Sequence, residues 1–170
     1  SDLLTIIYED KRGPEVEHIV YHEEEGIIGF VKDLNKKNEV LHDVVYFKGE
    51  QDGITVEAAF QYTNEFHENI LGFCNNIFNA EGGTHITGFK TVFTTVINSY
   101  ARELGILKEK DSNFTRADVR NGMTAIVSIK HPDPRFEGQT KTKLDNQDAS
   151  RVTAKVTGDE IQLYFDKNLE

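Results

Sequence analysis

Across residues 84–104 the apolar side chains of Ile86, Phe89, Phe93, Val96, Tyr100 and Leu104 return at helical spacing. A stripe this long needs a partner, because an amphipathic helix gains its stability by burying its apolar face. Val92 and Ile97 widen the face, and Gly105 stands where a helix ends in the left-handed conformation. The partner is visible in the chain. Residues 54–62 (ITVEAAFQY) alternate, with Ile54, Val56, Ala58, Phe60 and Tyr62 on one side. The two patterns together predict a central helix packed on a sheet that covers a core on one side.

The remaining elements fall around that pair. Residues 3–8 read as a strand, 11–14 (KRGP) as a turn, and 15–22 as a second strand. Over 24–37 the period changes: Ile27, Phe30, Val31 and Leu34 make one helical stripe. Residues 44–48 are a strand, separated from 54–62 by a turn ending Asp52-Gly53, and 69–78 (NILGFCNNIF) are a further strand candidate. A short helix at 115–120 has Thr115 as its cap, and 122–130 (GMTAIVSIK) is a strand. Residues 131–146 form the longest loop. A weaker helix follows over 147–167, rich in Val and Thr and interrupted by Gly158. No repeat or interdomain linker breaks the chain, so the expectation is one α+β domain with helices on one face of a sheet.

Charge and composition exclude several classes of function. The net charge is −10, which argues against a general nucleic-acid binder. It is unevenly placed: residues 1–70 hold 16 acidic and 6 basic side chains, whereas 71–170 hold 13 of each. The second half is therefore able to present local positive faces. The lone Cys74 allows no intrachain disulfide, reads as buried filler, and suits a reducing cytoplasm. No stretch approaches the roughly 20 apolar residues that span a bilayer. The chain opens at Ser1 directly into strand-like sequence, which suggests a segment of something longer.

No self-contained active site is visible. The six histidines (18, 22, 42, 67, 85 and 131) form no ligand cluster, and His18 and His22, on one strand face, would stand about 13 Å apart. Glu23, Glu24 and Glu25 are favourable charge at a helix start. There is no P-loop, no G-x-G-x-x-G and no nucleophile elbow. Two segments remain. In EGGTHITGFK (81–90), Gly82 and Gly83 open the long helix with Thr84 as a possible cap. The helix-start N–H groups there could meet an anion or a partner backbone, with Lys90 away from that end and exposed. In DPRFEGQTKTKL (133–144), Gln139 and Lys141 offer an amide donor and a mobile cation, a pair suited to a terminal phosphate. The plainer reading of each is a tight turn and a solvated lysine.

Taken in order, GGTH, GFK and, after about forty residues, SIKHPDPRFEGQTKTKL resemble the transducer domain of bacterial type II topoisomerase B subunits, DNA gyrase B and its topoisomerase IV counterpart. The opening VEHIVYHEEEGIIGFVKDLN and the middle DGITVEAAFQYTNEFHENILGFCNNI carry the resemblance across nearly the whole chain. It implies a two-layer α+β sandwich with a left-handed βαβ crossover, shared with a ribosomal protein and small-molecule kinases. Pattern reasoning alone favours the right-handed crossover.

The resemblance further implies a single transducer domain over 1–170, with an ATPase domain before it and a Toprim domain after it. ATP and Mg²⁺ would be held mainly by the ATPase domain, which carries the catalytic glutamate and the metal ligand. Gln139 and Lys141 would reach the γ-phosphate, Lys141 as the catalytic cation. Lys90 would stand on the wall of a DNA cavity, where relatives often have arginine. Other implied partners are a second copy of the B protein, the A protein of an A2B2 enzyme and double-stranded DNA without sequence preference. The setting is the bacterial cytoplasm and nucleoid, and the segment alone is expected to hydrolyse no ATP. Relatives usually have glycine after the loop's last leucine, where this chain has Asp145. A small-molecule kinase would need its own glycine-rich phosphate loop. A mismatch-repair transducer is disfavoured by GGTH and QTK, and a purely structural module would make Gln139 and Lys141 incidental.

Overall fold

The computed structural model describes residues 3–9, 16–138 and 141–168, with side chains described from residue 26 onward. The expected turn at 11–14, the side chains of His18, His22 and Glu23 to Glu25, and Gln139 lie outside the described residues.

β1 (Leu3–Glu9) and β2 (Val16–His22) pair antiparallel, and α1 (Glu23–Leu34) follows at once. The main sheet has the order β3-β4-β7-β5-β6. Its strands are β3 (Val45–Gln51), β4 (Ile54–Tyr62), β5 (Asn69–Cys74), β6 (Ile77–Asn79) and β7 (Met123–Lys130). Between β6 and β7 run α2 (Thr84–Glu103) and the short α3 (Arg116–Arg120), and α4 (Gln147–Asn168) comes last. β5 and β7 are parallel neighbours joined through α2, while β4 pairs antiparallel with both β3 and β7. This mixed sheet with helices is the α+β class, and β5, α2 and β7 make a βαβ connection within it.

Local chemistry explains most boundaries. The β3–β4 hairpin turns at Asp52 and Gly53, whose φ values of 55° and 78° give the hairpin its two-residue turn. At α3, Thr115 Oγ1 accepts from Asp118 N–H and Asp118 Oδ2 accepts from Thr115 N–H, both at 3.0 Å, a reciprocal cap. The hydrogen bond from the Thr115 N–H, with a further one from the Thr115 side chain, holds the Asp118 carboxyl below its usual range. Gly105 stops α2 with φ 77°.

The structure corrects three expectations. Residues 69–78 are two strands rather than one, because Asn75 and Asn76 turn the chain at φ 51° and 68°. Asparagine tolerates this region better than most residues because its short amide bonds locally. Secondly, helices cover both faces of the sheet. Ile27, Phe30 and Val31 of α1 pack on Ala59, Phe73 and Ile126, while α2 and α4 cover Ala58, Phe60, Ala125 and Val127 on the opposite side. Glu57, Ala59 and Gln61 look like a solvent face in sequence, yet all three are buried. Their polarity is satisfied there: Tyr46 Oη donates to Glu57 (2.7 Å), and Gln61 binds the His42 carbonyl (2.7 Å) and Asn35 Nδ2 (3.0 Å).

Thirdly, Gly158 does not interrupt α4, which runs unbroken from Gln147 to Asn168. A Cβ at Gly158 would stand 3.1 Å from Val92 Cγ2, and one at Gly88 only 2.4 Å from the Ser150 carbonyl oxygen. These glycines let α2 and α4 approach closely. In the resulting core Phe60 meets Phe93 edge-on at 5.0 Å between ring centroids. Truncating either ring to alanine should cost about 3–5 kcal/mol.

Candidate functional site

The two segments that stand apart in the sequence meet in the fold. After β7 the chain extends an arm whose limbs are held together by Glu137 N–H donating to the Lys143 carbonyl and Asp145 N–H to that of Arg135, both 2.8 Å. Phe136 and Leu144 form the bridge between them. Gly138 (φ 80°) and Lys141 (φ 59°) bend the tip.

The returning limb is zipped to the start of α2. Asn79 Nδ2 donates to the Lys141 carbonyl (2.9 Å), and Glu81 N–H to that of Thr142 (2.8 Å). Thr142 Oγ1 donates to Glu81 Oε2 at 2.6 Å. Leu144 N–H donates to the Gly82 carbonyl (3.1 Å), and the Leu144 carbonyl accepts from Thr84 N–H (3.0 Å). Of the two ligands the helix start could take, it takes a partner backbone, and that backbone belongs to the arm. Gly83 makes the approach possible: a Cβ there would lie 2.4 Å from Leu144 O and 2.6 Å from Leu144 N. Its φ of 141° with ψ −165° is open essentially to glycine alone.

Two expectations at this end are corrected. Gly83, not Thr84, is the N-cap, and it makes no side-chain cap bond. Among the described residues Thr84 Oγ1 is buried without a partner, while its N–H is taken by the Leu144 carbonyl. Lys90 is neither remote nor fully exposed. It lines one groove of about 530 Å³ with Gly82, Gly83, Thr84, Thr87 and Lys143. Its Nζ is 3.1 Å from Glu68 Oε1, and Arg120 Nε is 3.2 Å from Oε2 of the same carboxylate, so Glu68 sits between two cations.

The lysines of the arm differ. Lys143 pairs with Glu137 at 3.0 Å, which raises its pKa. Lys141 is exposed, and no hydrogen bond or ion pair engages its Nζ among the described residues; only its backbone is fixed, through Asn79. Gln139 lies outside the described residues. Sequence reasoning missed two buried histidines near this site. His85, inside the GGTH motif, is fully buried against Gly72 with neither ring nitrogen partnered among the described residues, and burial lowers its pKa to about 4. His131 ties down the base of the arm. Nothing in the spacing of either marks it. Cys74 is buried as expected, its thiol pushed up to about 11 by desolvation. No helix among the described residues is long and apolar enough to cross a membrane.

This geometry has relatives. A family model described as DNA gyrase B matches residues 26–170. The DNA gyrase B protein of Enterococcus faecalis is 49% identical over 167 residues, covering 98% of this chain and 25% of the relative. That of Bacillus mycoides is 47% identical over 166 residues, 97% of this chain and 41% of the relative. The chain thus spans well under half the length of the curated relatives it matches. Among solved structures, the 43K ATPase domain of Thermus thermophilus gyrase B, in complex with an aminocoumarin, superimposes with a TM-score of 0.80 at 30% identity. That match covers 97% of this chain and 44% of the other. The glycine-opened helix and the lysine-bearing arm zipped to it thus sit within a sequence and a fold shared with these proteins, and the chain belongs to the DNA gyrase B family.

Proposed function

We propose that this chain is the transducer module of a longer type II topoisomerase B protein, and that its arm completes the ATP site of a neighbouring ATPase domain. The observation that carries the reading is the contrast within the arm. Lys143 is tied to Glu137, while Lys141 projects an uncommitted ammonium from a tip whose backbone is anchored to Asn79. A cation on a fixed backbone, with no hydrogen bond or ion pair to its Nζ among the described residues, suits an anion supplied from outside the domain.

Bound ATP, with Mg²⁺ ligated outside this chain, would supply the phosphoryl group. Lys141 then offsets the charge on its terminal oxygens, and Gln139 contributes an amide donor beside it. The arm is also a sensor. When the γ-phosphate leaves, Lys141 loses its anchor, and the domain is released to move relative to the ATPase domain. In this reading the motion closes a gate formed by two copies of the B protein and is coupled, together with the A protein, to passage of a DNA segment. Lys90 faces that DNA and makes phosphate contacts without sequence preference. Its pairing with Glu68 means that a phosphate must compete with a carboxylate there.

The test is turnover by the full-length protein at saturating ATP, compared with Lys141→Ala. A loss of about a hundredfold, roughly 2.7 kcal/mol of transition-state stabilisation, is expected with folding intact. Unchanged turnover would reduce Lys141 to an exposed loop residue.

A further inference from the structure

The arm that carries Lys141 leaves the body after β7 and returns to it at α4. Both roots are tied to one buried side chain. His131 is 6% exposed. Its Nδ1 accepts from the Asp133 N–H at 2.9 Å, so the ring proton sits on Nε2, which faces Asp148 Oδ1 at 2.8 Å. Asp148 stands in the first turn of α4. The hydrogen bond from His131 is the main reason its carboxyl titrates below the usual range.

Asn146, also buried, stitches the same roots together. Its Oδ1 accepts from Arg135 N–H (2.6 Å) and its Nδ2 donates to the Asp133 carbonyl (3.1 Å). From the β5–β6 turn, Asn75 brackets His131. Its amide accepts from the His131 N–H at 2.8 Å and donates to the His131 carbonyl at 3.0 Å.

Two features set this apart from ordinary loop anchoring. The bonds are made at positions 131, 133, 135, 146 and 148, at the base of the arm, so they fix its direction and leave the tip exposed. The same imidazole also joins the outgoing limb to the first turn of the final helix, which packs along α2 and over β3. A shift of the arm at its base would have to stretch or carry these bonds with it. An apolar side chain would fill the same volume without linking Asp133 to Asp148.

We propose that His131, assisted by Asn146, is the positioning residue for Lys141, a clasp that sets the angle of the arm and passes its movement to α4. The coupling part of this inference rests on the reading of Lys141 as a γ-phosphate ligand, and the clasp itself does not.

Two experiments separate them. On the 170-residue chain, trypsin cleavage after Arg135, Lys141 and Lys143 is mapped by mass spectrometry under native conditions. Loss of the two bonds to Asp133 and Asp148 that hold the arm should raise cleavage at least tenfold in His131→Leu. His131→Asn, whose Oδ1 falls near the position of Nδ1 and accepts from Asp133 but whose side chain stops short of Asp148, should be cleaved at a rate between wild type and His131→Leu. Cleavage in His131→Leu at the wild-type rate overturns the clasp.

In the full-length protein, His131→Leu should lower kcat about tenfold with KM near unchanged, and should add nothing to Lys141→Ala. Effects that multiply, or a KM change with kcat intact, overturn the coupling. If Lys141→Ala itself leaves turnover unchanged, the γ-phosphate reading and the coupling both fail, and the trypsin result decides the clasp alone. Should His131→Leu fail to fold, Asp148→Ala removes the ring's other partner at a 44% exposed side chain and should give a smaller rise in cleavage and a smaller loss of kcat, with wild-type cleavage again overturning the clasp and unchanged kcat the coupling.

Discussion

Gly83→Ala should detach the arm from α2. A methyl at Gly83 would be placed 2.4, 2.6 and 2.7 Å from the oxygen, nitrogen and Cβ of Leu144. Two of those three atoms are backbone, so no rotamer change relieves the clash. The limb must retreat by roughly an ångström, far enough to break both hydrogen bonds that Leu144 makes with Gly82 and Thr84 at 3.1 and 3.0 Å. Each is worth about 1 kcal/mol. Holding alanine at φ 141° and ψ −165° adds about 1–3 kcal/mol. The sum is about 3–5 kcal/mol, or roughly 10 °C in Tm for a domain of this size.

Gly105→Ala is the control. It also sits at positive φ, 77°, but with nothing within 4 Å of its Cβ, so it carries the conformational cost without the clash. The assays are urea denaturation of the chain and amide exchange at Thr84 and Leu144. If the arm simply lifts away, the global loss will be smaller, but both amides must lose protection. A variant with wild-type Tm and protected Thr84 and Leu144 amides would refute the reasoning.

Other residues give further tests. His85 titrates near 4 in the fold because of its burial, against about 6.5 in an unfolded chain. The unfolded state therefore takes up the proton first, and the stability contributed by neutral His85 is present above pH 6.5 and lost as pH falls from there toward 4. Between pH 7 and 5 the wild type should lose about 2 kcal/mol more than His85→Leu in urea denaturation; equal losses would show that His85 is solvated. Thr153 and Thr157 bury hydroxyls that have no partner among the described residues. Thr153→Val should raise stability by about 1 kcal/mol, measured as a higher urea midpoint at unchanged m-value. A lower midpoint would mean the hydroxyl is hydrogen-bonded after all.

Much of this protein was legible in the sequence where the signal is periodic or local. The apolar stripe of α2 and the alternation of β4 depend only on which side chains avoid water, and their bounds match the structure closely. The Thr115 cap and the Gly105 stop need only near neighbours. The family likeness rests on two motifs in order, which the matching relatives support. The same reasoning failed at Asn75-Asn76, where two polar residues inside an apolar run proved to be a turn.

Tertiary structure decided what depends on residues distant in the chain. Periodicity marks Glu57 and Gln61 as polar, but only the fold brings Tyr46, Asn35 and His42 to satisfy them and so lets α1 cover the second face. Gly158 looks like a break until Val92 is found against it. The largest such effect is at the candidate site. The glycine pair and the lysine loop are separated by some fifty residues of sequence and joined by five hydrogen bonds in space. That Lys90 and Lys143 are paired, while Lys141 has no ion pair among the described residues, was likewise settled by where Glu68 and Glu137 come to rest. Sequence carries the chemistry of each side chain, but a hydrogen bond or ion pair also needs its partner within about 3 Å, and for these residues only the folded chain supplies that.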